Sequence, residues 1–240
     1  MEHLKAELER LLRSTANAQA IRERLDNLVS VYPFNEYEFI ISHLLAADVL
    51  TLDQYVLLRD EYITRNLYLY IFEISSPRGF GEAWAQGHLK ELVPELIKPT
   101  KRLDPQYQGQ YDFLLDGRIR IEVKASRAVN AEMDAPLYVK ALSSDSPHGF
   151  WMNFQQIKPA CCDVFVWIAV WRDVIRYWVL PSRELEAHPD YSQGQHRGNV
   201  GEGQLHVRHD NIHKFDSFEA RSNALGDAIR AAWTRQVKGG

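Results

Sequence analysis

The stretch YDFLLDGRIRIEVKAS, Tyr111–Ser126, has the pattern of a β-hairpin: two short apolar-rich runs flank Asp116-Gly117, a strong turn dipeptide. The length of the turn decides which side chains meet. A two-residue loop would set Leu115 opposite Arg118 and put Asp112 on one face with Ile121, so both faces would mix charges with aliphatics. A three-residue loop, Asp116-Gly117-Arg118, pairs Leu115 with Ile119, Phe113 with Ile121, Tyr111 with Val123, and Asp112 with Glu122. That register leaves one face almost wholly apolar, and a one-residue slip would scramble it, so burial selects it. The other face carries Asp112, Leu114, Arg120, Glu122 and Lys124.

Residues directly opposed in an antiparallel pair have Cβ atoms roughly 5 Å apart, and like charges there destabilise the sheet. Asp112 opposite Glu122 is therefore a poor pair unless something positive lies between them. A hard divalent cation such as Mg²⁺ takes carboxylate and carbonyl oxygens and would turn the repulsion into a binding site. Lys124, two residues beyond Glu122 on the same face, adds an ammonium. The set suits metal-assisted phosphodiester hydrolysis, with lysine stabilising developing charge or orienting the attacking water.

Asp112, nine residues, then Glu122-Val123-Lys124 at the end of a hairpin resembles the PD-(D/E)xK nuclease signature, whose largest enzymatic group is the type II restriction endonucleases. Gln110-Tyr111 stands before Asp112 where the literal motif has a proline. The resemblance implies that Asp112 and Glu122 bind Mg²⁺, that the Val123 carbonyl supplies a further oxygen, and that Lys124 assists the attacking water. It also implies an acid from the preceding helix, and Glu82 is the candidate. Cleavage of double-stranded DNA would leave 5′-phosphate and 3′-hydroxyl ends. Palindromic sites favour a homodimer, and the implied genetic partner is a DNA methyltransferase of matching specificity. The same fold also serves structure-specific repair or recombination nucleases, and a non-catalytic DNA-binding protein would bear the same charges merely exposed.

The composition, 45% hydrophobic and 25% charged, is that of a globular chain and excludes a disordered or low-complexity protein. No run approaches the roughly 18 apolar residues of a membrane span, and MEHLKAELER has no signal-peptide pattern, so a cytoplasmic location is expected. The net charge of −4 does not advertise a nucleic-acid binder, which leaves phosphate contact to a local basic groove. Cys161-Cys162 has no C-x-x-C partner and reads as small buried residues at a strand entrance. No Gly-rich nucleotide loop is present, which argues against an ATP-driven enzyme.

The first 75 residues read as a helical N-terminal region, and 76–240 as the catalytic domain. Leu4, Leu8, Leu11 and Leu12, then Ile21, Leu25, Leu28 and Val29, recur at helical spacing with an interruption near Ser14–Asn17. Asn35 with Glu38, and Thr51 with Gln54, resemble capping boxes. The second opens a long stripe from Leu52 to Ile71 that suits a core or a dimer surface. Ser76-Pro77 begins a further helix, the one holding Glu82.

Candidate DNA contacts come from the less regular segments. They are Lys101 and Arg102, with Lys98, in the Pro-broken basic link before the hairpin, and Arg127, Asn130 and Lys140 in the aperiodic 127–149 stretch. Gln155 lies in Phe154–Lys158, which reads as a short helix. His196 and Arg197 fall in a Gly-rich loop, and His209 in Leu205–Phe215. A buried strand Val164–Trp171, a second strand Ile175–Leu180 and an amphipathic C-terminal helix with Leu225, Ile229, Ala232 and Trp233 complete the pattern. The expected fold class is α/β (α+β): a restriction-endonuclease-like core of αβββαβ order, with a mixed central sheet flanked by helices.

Overall fold

The computed structural model describes residues 2–26, 36–194 and 201–238. The chain divides into two compact units, Met1–Leu67 and Tyr68–Gly240. The N-terminal unit is helical: α1 (Glu2–Arg13), α2 (Ala18–Asp26), α3 (Glu36–Ala46) and α4 (Leu52–Arg65). The interruption after Leu12 is real, because the Ser14 and Thr15 hydroxyls donate to the carbonyls of Leu11 and Leu12 and close the end of α1. Leu8, Ile40, Ile41, Leu44, Leu50 and Tyr62 form the core of this unit. Thr51 makes its capping box with Gln54, whereas the Asn35 cap lies outside the described residues. The apolar stripe does not run as one helix to Ile71. α4 stops at Arg65, and Ile71 and Phe72 are buried in the core of the second unit, so residues 68–75 belong there.

The second unit is built around the hairpin. β1 (Phe113–Leu115) pairs with β2 (Ile119–Arg127) in the register Phe113–Ile121, Leu114–Arg120, Leu115–Ile119. The three-residue turn is thus present. Asp116 and Gly117 both have positive φ (53° and 67°), the Arg118 N–H donates to the Leu115 carbonyl, and Arg118 is the extra residue before pairing begins. The Asp116 carboxylate is fastened to Arg230, and the Arg118 guanidinium lies 4.3 Å from the Trp233 ring centroid, so the turn is docked on the C-terminal helix α7 (Leu225–Lys238).

β2 runs parallel to β5 (Val164–Val170), which pairs antiparallel with β6 (Ile175–Pro181), and β6 pairs with the short β9 (Glu219–Ala220). The result is a mixed five-stranded sheet of order β1-β2-β5-β6-β9 within an α+β fold. β5, VFVWIAV, is buried along its whole length because both faces of the sheet are covered. One face packs on helices: Phe113, Ile121, Val123, Val166 and Ile168 meet Phe80 and Leu89 from the 77–92 helical segment and Leu225 and Ile229 from α7. The other face, which the sequence also assigns to helices, meets chiefly a second sheet of order β3-β4-β8-β7, joined by Leu185 of the short helix α6 (Ser182–Glu186) and by Phe215. Its strands are β3 (Val129–Asn130), β4 (Phe150–Ile157), β7 (Tyr191–Gln193) and β8 (Gly203–Arg208).

Two local expectations fail with it. Phe154–Lys158 is not a helix but the end of β4, so the connection from β2 to β5 passes through strands and the αβββαβ order is not followed. Tyr111 does not join Phe113 on the helix-facing side. It is buried in the inter-sheet core, with its hydroxyl on Asp104 at 2.8 Å, because the chain bends out of the ladder at Asp112. No helix among the described residues is long and apolar enough to cross a membrane.

Gly117→Ala tests the turn. A Cβ there meets nothing within 4 Å, so the cost is purely that of holding alanine at φ +67°. A loss of about 1 kcal/mol is expected in urea unfolding, with an unchanged m-value.

Candidate active site

Glu122 and Lys124 are on the face of β2 that looks toward the second sheet, in register with Phe165 and Trp167 of β5. They sit at the lip of the inter-sheet core, and that placement sets their chemistry. The Glu122 carboxylate is four-fifths shielded from water and pairs with the Lys124 ammonium at 2.7 Å. Asp112 reaches the same point from the end of β1. Its N–H donates to the Ile121 carbonyl, and its own carboxylate Oδ2 accepts the Val123 N–H at 2.8 Å. The N–H and C=O of one strand residue point to the same side, so the Val123 carbonyl also faces this gap beyond the end of β1.

Burial pushes the Glu122 carboxyl up to about 7; the Lys124 ammonium opposes the shift and the nearby Asp112 charge adds to it. Burial also raises Asp112, against the pull of the Val123 N–H, Lys124 and Lys98. Two carboxyls that resist ionisation side by side, with a main-chain carbonyl between them, form an all-oxygen donor set that fits a hard cation such as Mg²⁺ and satisfies its preference for carboxylates and water. Among the described residues no third Asp, Glu, His or Cys joins them to complete a cluster of three.

Two further side chains near the pair, Gln86 and Tyr107, are not singled out by the sequence, whereas a third, Lys98, belongs to the basic linker that it marks for phosphate. Gln86, at the start of α5 (Gln86–Leu92), donates to Asp112 Oδ1 at 2.5 Å and accepts a hydrogen bond from Lys98. Lys98 in turn lies 4.2 Å from the Phe113 ring centroid. The Tyr107 ring packs edge-on against Tyr111, 5.1 Å between centroids, and its phenol is raised by burial and then by the charges of Asp112 and Glu122. Gln86 follows directly on a π-helical stretch, Gly79–Ala85, a wider coil that recurs at functional sites. The helix does begin at Ser76-Pro77, where the Ser76 hydroxyl accepts the Gly79 N–H. Glu82 lines the same cleft one turn earlier, but its carboxylate is mostly in solvent and pairs with Arg78 at 3.8 Å. The side chain from this helix that touches Asp112 is Gln86.

The cleft has a volume of about 1140 Å³ and holds Asp112, Glu122 and Lys124 on one wall with Glu82, Gln86 and Gln155 around them. Of the candidate DNA contacts, Gln155 lines it, exposed. Arg127 lines it as well, but its guanidinium is spent inside the fold: it donates to the carbonyls of Ile71 and Ile74 and stacks 4.1 Å from the Phe80 ring centroid. Asn130 is buried, and its amide oxygen accepts the Glu132 N–H. Lys140 is half-buried, with its carbonyl accepting the Asn130 N–H, and is not part of the cleft wall. Lys101 and Arg102 are on an exposed turn outside the cleft lining. His209 borders a separate recess. His196 and Arg197 lie outside the described residues. Cys161 and Cys162 are free thiols, Cys162 buried. No protein-family model matches the chain, and comparison with curated proteins returns no match.

A carboxyl raised by the fold stabilises it fully below its ordinary value, 4.5, and loses that contribution as pH climbs through about 7. Glu122→Gln is neutral at every pH. It should therefore leave thermal stability nearly unchanged at pH 5 and, in EDTA, raise it by on the order of 2 kcal/mol at pH 8, allowing for the lost ion pair with Lys124. Equal effects at the two pH values would contradict the burial of this charge.

Proposed function

We propose that the protein is a Mg²⁺-dependent, sequence-specific double-stranded DNA endonuclease of the type II restriction kind. The observation that carries this reading is the meeting of Asp112, Glu122 and Lys124 at one point, with the Asp112 carboxylate latched to the residue between the other two. In this reading Asp112, Glu122 and the Val123 carbonyl hold the ion. Bound there, Mg²⁺ would neutralise phosphate charge and acidify a coordinated water.

The chain's own groups supply the rest. Lys124, 2.7 Å from Glu122, orients the water and stabilises the charge that develops as it attacks phosphorus. The bond to the 3′ oxygen breaks, which leaves a 5′-phosphate and a 3′-hydroxyl. Gln86 fixes the Asp112 carboxylate through Oδ1 and holds Lys98 beside it, a second positive group for the phosphate flanking the cut. Glu82, one turn from Gln86 and in solvent, is close enough to the cleft to hold a water of the ion rather than the ion itself. A homodimer acting on palindromic sites, a cytoplasmic location and a partner methyltransferase belong to the same proposal.

Incubation with unmethylated phage and plasmid DNA plus Mg²⁺ tests the activity. Discrete fragments are expected from the wild-type chain, and a drop of at least about a thousandfold in Lys124→Ala, with a cooperative melting transition retained. Cutting confined to flaps or ends would assign a repair nuclease instead, and no cutting on any substrate would remove the enzymatic reading. Mg²⁺ binding must also release the protons held by the raised carboxyls. The rise in Tm on adding Mg²⁺ should therefore be larger at pH 8 than at pH 6, and absent in Asp112→Asn.

A further inference from the structure

The second sheet has an outer face that the nuclease chemistry does not use. In β4 and β8 the pairs Met152–Val207 and Phe154–Leu205 are buried against the first sheet. The alternate pairs, Trp151–Arg208 and Asn153–His206, share the opposite face. That face is open: Trp151 and the Arg208 side chain are exposed, and the Trp151 and His206 rings lie 5.5 Å apart.

The face also runs into the cleft. Trp151, Asn153 and Gln155 line the same cavity as Asp112, Glu122 and Lys124. A bulge helps to make this continuity. Gln156 takes a positive φ of 56°, the β4–β8 register shifts between Phe154 and Ile157, and the amides of Gln155 and Gln156 are both exposed at the cleft. Asn153 Oδ1, shut away from solvent, accepts no hydrogen bond among the described residues.

We propose that this outer face, through Trp151, Gln155, His206 and Arg208, is the surface that reads the DNA next to the cut, an inference that rests on the nuclease reading. Amide side chains present a donor and an acceptor to base edges, arginine pairs with phosphate or guanine, and an exposed indole gives apolar contact to a base. Among the described residues the Arg208 guanidinium pairs with Asp210 at 3.3 Å, an exposed pairing that a phosphate can displace. Trp151 to Gln155 spans roughly 13 Å of strand, on the order of four base steps at about 3.4 Å each, so contacts extend to one side of the scissile phosphate.

The test measures binding apart from cutting. Full-length Lys124→Ala protein, which leaves DNA intact, is titrated against a labelled random-sequence duplex in Ca²⁺. Trp151→Ala and Arg208→Ala, each added to it, should weaken binding at least about tenfold with unchanged melting curves, while Lys238→Ala on α7 should not. With 5-iodouracil in the duplex, photocrosslinking should yield a modified peptide containing Trp151. Wild-type affinity in both variants together with crosslinks elsewhere overturns the proposal, as does absence of duplex binding or a preference for single strands. Failure of the wild-type chain to cut DNA, with the binding losses and the Trp151 crosslink present, would remove the nuclease reading and leave this surface standing.

Discussion

The Asp112 carboxylate takes, on the Val123 N–H, the place that the next main-chain carbonyl of β1 would otherwise fill. That single substitution of a side-chain for a main-chain acceptor ends the strand without leaving a buried amide unpaired. It also swings Tyr111 out of the ladder into the inter-sheet core, and it carries a negative charge into a shielded corner beside Glu122. Strand termination, core packing and site chemistry thus depend on one hydrogen bond at 2.8 Å. Asp112 serves as a structural cap whether or not an ion is bound, which is why the pair of acids tolerates its own repulsion in the fold.

How legible this was from the sequence differs from element to element. The hairpin register could be derived because one face is buried, and burial punishes a slip at five positions at once. Tyr111 escaped because the register argument extends a strand that in fact stops at Asp112. The end of β4 resembles a short helix in sequence for a specific reason: Phe154 and Ile157 are buried three residues apart, the spacing of a helical face, but the extra residue is a bulge at Gln156. A period of two with one insertion is indistinguishable from a short stretch of period near three and a half. Gln86 carries no signal as an amide on a blurred helix, whereas Glu82 stands out there as an acid. Only the π-helical coil before Gln86 and the end of β1 bring Gln86 to Asp112. Arg127 reads as a surface contact, whereas its charge is absorbed by main-chain carbonyls of the segment 71–74.

The layer arrangement gives the site its electrostatic character. Helices cover one face of the first sheet and an aromatic-rich second sheet covers the other, with Trp167, Trp178, Phe154 and Phe215 between them. A carboxylate at the rim of such a layer is desolvated by hydrocarbon on one side and open on the other. Its charged form is disfavoured, which is what raises both carboxyls above their ordinary range. The same rim is where the polar outer face of the second sheet begins, so the charged cleft and a surface of amides, Trp151 and Arg208 meet without a gap.

The second sheet is assembled from two excursions of the chain, β3 and β4 leaving between β2 and β5, and β7 and β8 leaving between β6 and β9. Trp151 and Arg208, neighbours across it, are more than fifty positions apart in sequence. Joining them closes a long loop, a cost met only once the first sheet offers an apolar surface to fold upon. The carboxylate corner is therefore organised by contacts local to the hairpin, while the face beside it is joined by pairings distant in sequence. One cleft thus has two walls of different origin, one closed by near neighbours along the chain and the other by segments more than fifty positions apart.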